Sequence, residues 1–154
     1  MSQKPLLPRI EDFSDERFIH FGGLIAEATV SLRLFGEALN PDEVTELLGC
    51  KPTSTGRKGD GIPGQYHRMA NVGYWLLEGS PPSEVRLEQQ VNDLLDKVTD
   101  DLAVWRDLTN RFNVDIFCGL FLECFNRGFN LSPKLFQRLA DRGIRLEFDI
   151  YSED

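Results

Sequence analysis

Apolar and polar residues alternate in three stretches of the chain, at positions 28–35, 114–123 and 144–151. A period of two places every second side chain on the same face of a strand, so each stretch predicts a half-buried β-strand. A fourth strand is predicted at positions 72–78, which are rich in aromatic and aliphatic residues and are followed by Ser80-Pro81-Pro82.

Two short helices have both of their ends marked in the sequence. Asn40-Pro41 supplies a capping residue and a proline at the first helical position, and Gly49 ends the helix. Ser132-Pro133 and Gly143 mark the second helix in the same way. Residues 39–47 and 131–139 can be aligned without a gap, which indicates an internal repeat.

Apolar residues recur at steps of three and four between these two helices, and this pattern predicts one long helix over residues 83–109 with Ser83 as its cap. The predicted order is therefore strand, helix, strand, helix, strand, helix, strand. Two βαβ halves joined by the long helix predict a ferredoxin-like α+β sandwich, with a mainly antiparallel sheet and helices on one face. The alternation within the strands favours this class over a doubly wound parallel sheet, whose strands are apolar throughout.

The chain is divided into an N-terminal arm, residues 1–26, and a single α+β domain, residues 27–154. Gly22-Gly23 separates the arm, which is predicted to contain a short helix at residues 14–20, from the first strand. Residues 51–71 combine four glycines and two prolines with no apolar period, which predicts a long loop of the kind that is functional or mobile.

The composition is typical of one soluble domain: 154 residues, 41 % hydrophobic and 27 % charged. The formal charge is −8, so the chain would repel nucleic acid, and a basic protein is the favoured partner. No apolar run approaches the roughly 20 residues of a membrane span, and the first ten residues do not resemble a secretory signal. We therefore expect a cytoplasmic protein, and its three cysteines, Cys50, Cys118 and Cys124, are expected to be reduced thiols.

The loop gathers positive charge in an otherwise acidic chain. Arg57 and Lys58 are the first candidates for binding a phosphate or carboxylate, and His67 and Arg68 are the second. The alternative interpretation is a solvated surface loop. Residues 59–64 match a dinucleotide-binding glycine pattern, but no helix is predicted after them, as that chemistry requires.

No motif for metal binding or nucleophilic catalysis occurs in the sequence, and the two histidines, His20 and His67, are not at metal-binding spacing. We therefore expect no catalytic residues, no metal and no cofactor, and predict that the protein is not an enzyme.

Several aromatic residues fall on the side of the predicted sheet that helices do not cover. Large apolar groups in that position indicate a covering element: a protein partner, a second copy of the chain, or the arm, which is the simplest choice. The alternation does not decide which face of its strand Trp75 occupies. The candidate partner-binding residues are Phe35, Trp75, Phe117, Phe121 and Tyr151.

Residues 27–151 resemble a bacterial family of domains of unknown function, DUF4279. The resemblance rests on the strand at 28–35, the helix start at Asn40-Pro41-Asp42-Glu43, the segment Gly49-Cys50-Lys51-Pro52-Thr53, the segment Gly73-Tyr74-Trp75-Leu76-Leu77, and the final helix and strand. It implies a bacterial cytosolic α+β domain without an established activity, so no catalytic residues can be transferred. The resemblance singles out the positions Pro41, Gly49, Pro52, Gly73 and Trp75. Each of these positions also has a structural explanation.

The sequence thus favours a non-catalytic binding domain. One concrete hypothesis is an immunity protein that masks the basic active site of a cognate toxin, because acidic charge accelerates such an encounter. The alternative is a small domain that binds an anionic ligand through the loop at residues 51–68. An enzyme is the third and least favoured class.

Overall fold

A computed structural model describes residues 27–62, 64–80, 86–122 and 128–152. The predicted arm, the predicted cap Ser83, Cys124 and His20 lie outside these residues. The described elements are β1 (Glu27–Gly36), α1 (Pro41–Leu48), β2 (Ser54–Gly56), β3 (Gly61–Ile62), β4 (Gln65–Met69), β5 (Gly73–Glu78), α2 (Leu87–Asp96), α3 (Leu102–Arg111), β6 (Asn113–Leu122), α4 (Pro133–Arg142) and β7 (Arg145–Ser152).

Five strands form one mixed sheet in the order β2-β5-β1-β6-β7, and β3 and β4 form a separate two-stranded sheet. Strand β1 is antiparallel to β5 and to β6, and β2 is antiparallel to β5. Strand β7 is parallel to β6. The α+β class is confirmed, and antiparallel pairs predominate in the five-stranded sheet.

One face of this sheet packs under the helices. The inward positions of β1 are Ala28, Val30, Leu32 and Leu34, and their register partners on β5 and β6 are apolar as well. These strand residues share a single core cluster with the apolar sides of α1, α2, α3 and α4, so the helices in the described ranges lie on one face. The largest fully buried side chains of the core are Trp75 and Trp105.

Both short helices have the predicted ends. The Asn40 side chain accepts a hydrogen bond from the backbone N–H of Asp42 at 3.1 Å, and α1 ends at Gly49 with φ +68°. The Ser132 hydroxyl accepts from the backbone N–H of Leu135 at 3.2 Å, and α4 ends at Gly143 with φ +69°. Because left-handed φ values favour glycine, the two stops are encoded locally.

The predicted strand at 72–78 does not complete a βαβ unit with β1, because β5 is the antiparallel neighbour of β1, with Gly36 opposite Gly73. The strand parallel to β1 is β2, which is antiparallel to β5 and lies on the far side of it, so β1, α1 and β2 form a βαβ unit with β5 between its two strands. Strand β2 spans only the rows of Arg33 to Phe35, so the return after β1 is about 10 Å, which the roughly 12 Å of α1 covers. In the second half, β6, α4 and β7 form a parallel unit of adjacent strands.

The predicted long helix is two helices, α2 and α3, separated by residues 97–101. The backbone N–H of Thr99 donates to the carbonyl of Leu48, which holds the break against the end of α1. The Asp101 side chain then caps α3 by accepting from the backbone N–H of Ala103 at 2.9 Å. A tertiary contact and a local cap thus override the continuous apolar period.

The segment predicted as a long loop contains three strands. Strand β2 adds to the edge of the sheet beside β5, and the backbone N–H of Thr53 donates to the Leu76 carbonyl at 2.7 Å. Strands β3 and β4 form a hairpin that is closed at its base by paired backbone bonds between residues 59–60 and Ala70. These strands have no apolar period because the described parts of the hairpin are largely solvent-exposed.

Trp75 links the sheet to α1 through a polar contact. Its indole N–H donates to the Thr45 hydroxyl at 3.0 Å, while the Trp75 side chain is fully buried. We predict that Thr45→Val destabilises the fold by about 1–3 kcal/mol, because a buried donor loses its acceptor, whereas Thr45→Ser keeps the acceptor. Urea unfolding of both variants measures the difference, and equal losses for Val and Ser would contradict the assignment.

The α3 cap can be tested with its neighbour as a matched control. Asp101→Ala is expected to cost about 0.5–2 kcal/mol because it leaves an end N–H of α3 without its acceptor. Asp100→Ala, at the adjacent exposed carboxylate, should change stability by less than about 0.5 kcal/mol. Thermal unfolding of the two variants side by side provides the measurement, and equal effects would argue against the cap.

Candidate functional site

The face of the sheet opposite the helices is the candidate site, and we call it the outer face. Its side chains alternate along each strand with those of the core. Within the described residues no helix packs against it, because all four helices share the core on the other side. The side chains that define the outer face are Arg33, Phe35, Tyr74, Leu76, Glu78, Asp115, Phe117, Phe121, Arg145, Glu147, Asp149 and Tyr151.

A charged pair lies at the centre of the outer face. Arg33 donates to both carboxylate oxygens of Asp115 across β1 and β6, at 2.7 and 2.8 Å. The guanidinium also lies over the Phe117 ring at 4.4 Å and the Phe35 ring at 5.3 Å. The bond to Asp115 raises the pKa of Arg33 despite partial burial, so this cation remains charged and fixed between two rings.

An exposed aromatic pair lies at one end of the outer face. Phe121 and Tyr151 stack with ring centroids 5.0 Å apart, and their exposed fractions are 39 % and 48 %. The Tyr151 hydroxyl donates to the Asp149 carboxylate, and this hydrogen bond raises the pKa of Tyr151. The pair therefore offers two broad apolar rings beside a negative charge.

Among the described side chains that define the outer face are four carboxylates and two guanidinium groups, so this surface is acidic like the whole chain. Asp115 is neutralised by Arg33, and Glu147 accepts from Arg145 at 3.1 Å. In the described parts of the chain, neither Glu78 nor Asp149 forms an ion pair with a basic side chain. A partner that meets this surface therefore meets excess negative charge.

The structure divides the predicted partner-binding residues into two groups. Phe35, Phe117, Phe121 and Tyr151 lie on the outer face, as the alternation indicates. Trp75 does not: its register partner is Leu34 in the core, and its side chain is fully buried. The interpretation of Trp75 as a surface contact is wrong, because Trp75 and Leu77 face inward whereas Tyr74 and Leu76 face outward.

The centre of the face was not singled out from the sequence. Both Arg33 and Asp115 occupy polar positions of alternating strands, which ordinarily mark a solvated face. Only the register that places Arg33 opposite Asp115 shows that the two residues form a pair.

The basic loop residues contact acidic groups of the same chain. The Arg57 guanidinium donates to the Asn40 side-chain oxygen at 3.1 Å and to the Asp42 carboxylate at 3.4 Å. The Lys58 ammonium donates to Glu37 at 3.2 Å. Both side chains are more than half exposed, but an incoming anion would have to compete with these carboxylates.

His67 and Arg68 belong to strand β4, and their side chains lie outside the described residues. The glycine pattern at residues 59–64 falls in the β3–β4 hairpin, with β4 rather than a helix after it. The pattern is therefore not followed by the helix on which a dinucleotide-binding motif depends.

The described residues include no cluster of three or more histidine, cysteine, aspartate or glutamate side chains that could hold a metal ion. Cys118 points into the core, where burial raises the pKa of its thiol to about 12, so this residue is not an ionised nucleophile near neutral pH. Cys50 is a free, half-buried thiol. In the ranges that the structure describes, no helix is long and apolar enough to cross a bilayer.

Fold and site together define a class: an α+β domain with a mixed sheet that is covered by helices on one side and presents an acidic, aromatic face on the other. The family model described as Domain of unknown function (DUF4279) matches residues 26–153. The chain therefore belongs to this family, and the match contains every element described above. No curated protein and no solved structure matches the chain.

The two arginines of the outer face make a matched test of its central pair. Arg33→Lys is expected to cost about 1–3 kcal/mol, because an ammonium cannot replace the two-point contact with Asp115 or the stacking on Phe117. Arg145→Lys should cost less than about 0.5 kcal/mol, since Arg145 is exposed and makes one contact. Chemical denaturation provides both values, and equal values would show that the pair does not contribute to stability.

Proposed function

We propose that this protein is a non-catalytic binding domain that receives a basic protein partner on the outer face of its sheet. The observation that carries the proposal is the exposed Phe121–Tyr151 pair beside Asp149, on a face that no described helix covers. The absence of a described metal cluster and the inert environment of Cys118 are consistent with this proposal but do not carry it.

The chemistry of the outer face fits a protein ligand with exposed lysines or arginines. Aromatic side chains give a large contact area at a small cost in conformational entropy, and they dominate the energetics of many interfaces. A cation from the partner could lie over the Phe121 or Tyr151 ring and contact the Asp149 carboxylate at the same time. Arg33 already makes this combination of contacts within the chain, with Phe117 and Asp115.

The specific form that we propose is a toxin-neutralising immunity protein. Enzymes that act on nucleic acids carry basic active sites, and an inhibitor with a formal charge of −8 would be steered towards such a site. The acidic outer face would then be the surface that masks the site. The immunity function is one specific case of the proposal, and both require that the outer face binds a basic partner.

Binding of a small anion by the loop is the weaker alternative. Arg57 and Lys58 each contact a carboxylate of this chain, so the local charge that suggested an anion site is partly compensated. No described observation favours a phosphate or carboxylate ligand there.

The outer face can be tested with two matched double variants. Phe121→Ser with Tyr151→Ser removes the exposed pair, whereas Phe136→Ser with Leu102→Ser removes two apolar residues of comparable exposure on the helix side. A partner is captured from the source organism at low salt, identified, purified and titrated against each variant. We expect the first variant to weaken binding at least about tenfold, or 1.4 kcal/mol, and the control less than about twofold.

The salt dependence of the affinity is an independent test of the same complex. Because the outer face is acidic, the affinity for a basic partner should fall as the salt concentration rises. A captured partner that is acidic, or one that binds both double variants equally well, would contradict the proposal. Thermal unfolding of each variant verifies that a loss of binding is not a loss of fold.

A further inference from the structure

A second apolar surface lies on the helix side of β7, and we call it the edge patch. It consists of Phe129, Phe148 and Ile150, whose exposed fractions are 45, 41 and 56 %. The Phe129 and Phe148 rings contact each other with centroids 5.8 Å apart. Phe148 and Ile150 alternate with Glu147 and Asp149, which point to the outer face, so the edge patch and the outer face occupy opposite sides of one strand.

Each β7 residue of the edge patch belongs to a row of side chains that runs across neighbouring strands on one face of the sheet. The members of these rows on β6 and β1 are buried. Phe148 pairs with Cys118, which is fully buried, and Ile150 pairs with Leu120, which is 1 % exposed. Leu120 in turn pairs with Ala28, which is 6 % exposed. The helix layer thus covers these rows on β1 and β6 but stops short of β7. The edge patch is an uncovered margin of the core.

A second copy of the chain fits this margin poorly when the two β7 edges pair. In an antiparallel pair of β7 strands about a two-fold axis, residues on the same face lie opposite each other. A register centred on Glu147, on Phe148 or on Asp149 places a carboxylate opposite a carboxylate on the outer face. Like charges directly opposite each other destabilise a strand pair, so these three registers, which include the two with the longest overlap of β7, disfavour a second copy.

Residues 1–26 have the position, the length and the composition to fill the margin. They join β1 at Glu27, and Ile150 lies two strands from Ala28 in the same row, which corresponds to about 10 Å. A 26-residue segment can reach about 85 Å when extended, so its length does not limit the contact. Its large apolar residues are Leu6, Leu7, Ile10, Phe13, Phe18, Ile19, Phe21, Leu24 and Ile25.

We propose that residues 1–26 of the same chain pack on the edge patch and extend the core over β7, leaving the outer face open. Burial of Phe129, Phe148 and Ile150 against apolar residues of the arm removes both surfaces from water. The outer face differs because the Phe121–Tyr151 pair lies beside Asp149, a carboxylate without an ion-pair partner among the described residues, which favours a charged partner over an apolar segment of the chain.

Photo-crosslinking in the 154-residue chain tests the contact directly. Phe148→p-benzoyl-phenylalanine places a probe in the edge patch, and Ile150→p-benzoyl-phenylalanine is the substitute if the first variant does not fold. After irradiation, peptide mapping should find links within one chain from the probe to residues 1–26. Links from the Phe148 probe to residues 128–130 verify photolysis, because Phe129 contacts Phe148.

Two further probe positions distinguish the alternatives. A probe at Phe136, which is 52 % exposed on α4, should give no link to residues 1–26, and neither should one at Tyr151 on the outer face. Links to residues 1–26 from Tyr151 instead of Phe148 would overturn the proposal in favour of an arm on the outer face. Links between two chains, or links to residues 128–130 alone, would overturn it in favour of a second copy or an uncovered patch.

Discussion

The register of β1 is the constraint on which both surfaces of this domain depend. Strand β1 lies at the centre of the sheet between two antiparallel neighbours, and its inward residues Ala28 to Leu34 are almost fully buried. A slip by one residue would turn Arg33 into the core and expose Leu32 and Leu34. Because an isolated buried cation costs far more than an exposed leucine, the apolar rows fix the register and thereby place Arg33 opposite Asp115.

Local chemistry made much of this fold predictable from the sequence. Period-two alternation located the long strands, and the caps at Asn40 and Ser132 with the left-handed stops at Gly49 and Gly143 located two helices to within a residue. The same signals failed where a distant group decides the outcome. The break between α2 and α3 depends on the bond from Thr99 to Leu48 at the end of α1, 51 positions earlier in the chain, and no window of local sequence contains both residues.

The candidate site was predictable to a similar extent. Alternation is sufficient to place Phe117, Phe121 and Tyr151 outward. It cannot orient β5, where apolar residues occupy both faces, and the burial of Trp75 is therefore visible only in the structure. The contacts of the basic loop residues are not predictable for a related reason. Arg57 and Asp42 lie 15 positions apart, so their contact depends on how the chain folds back from α1.

Strand β7 presents two apolar surfaces that differ in their electrostatic setting. On the outer face, Tyr151 is hydrogen-bonded to Asp149, so an occupant must supply positive charge or leave that carboxylate desolvated without a counter-charge. On the helix side, Phe148 contacts Phe129 and continues the rows of the core, so an occupant needs only apolar shape. The alternation of one edge strand therefore separates the surface that we propose for a basic protein partner from the surface that we propose for residues 1–26.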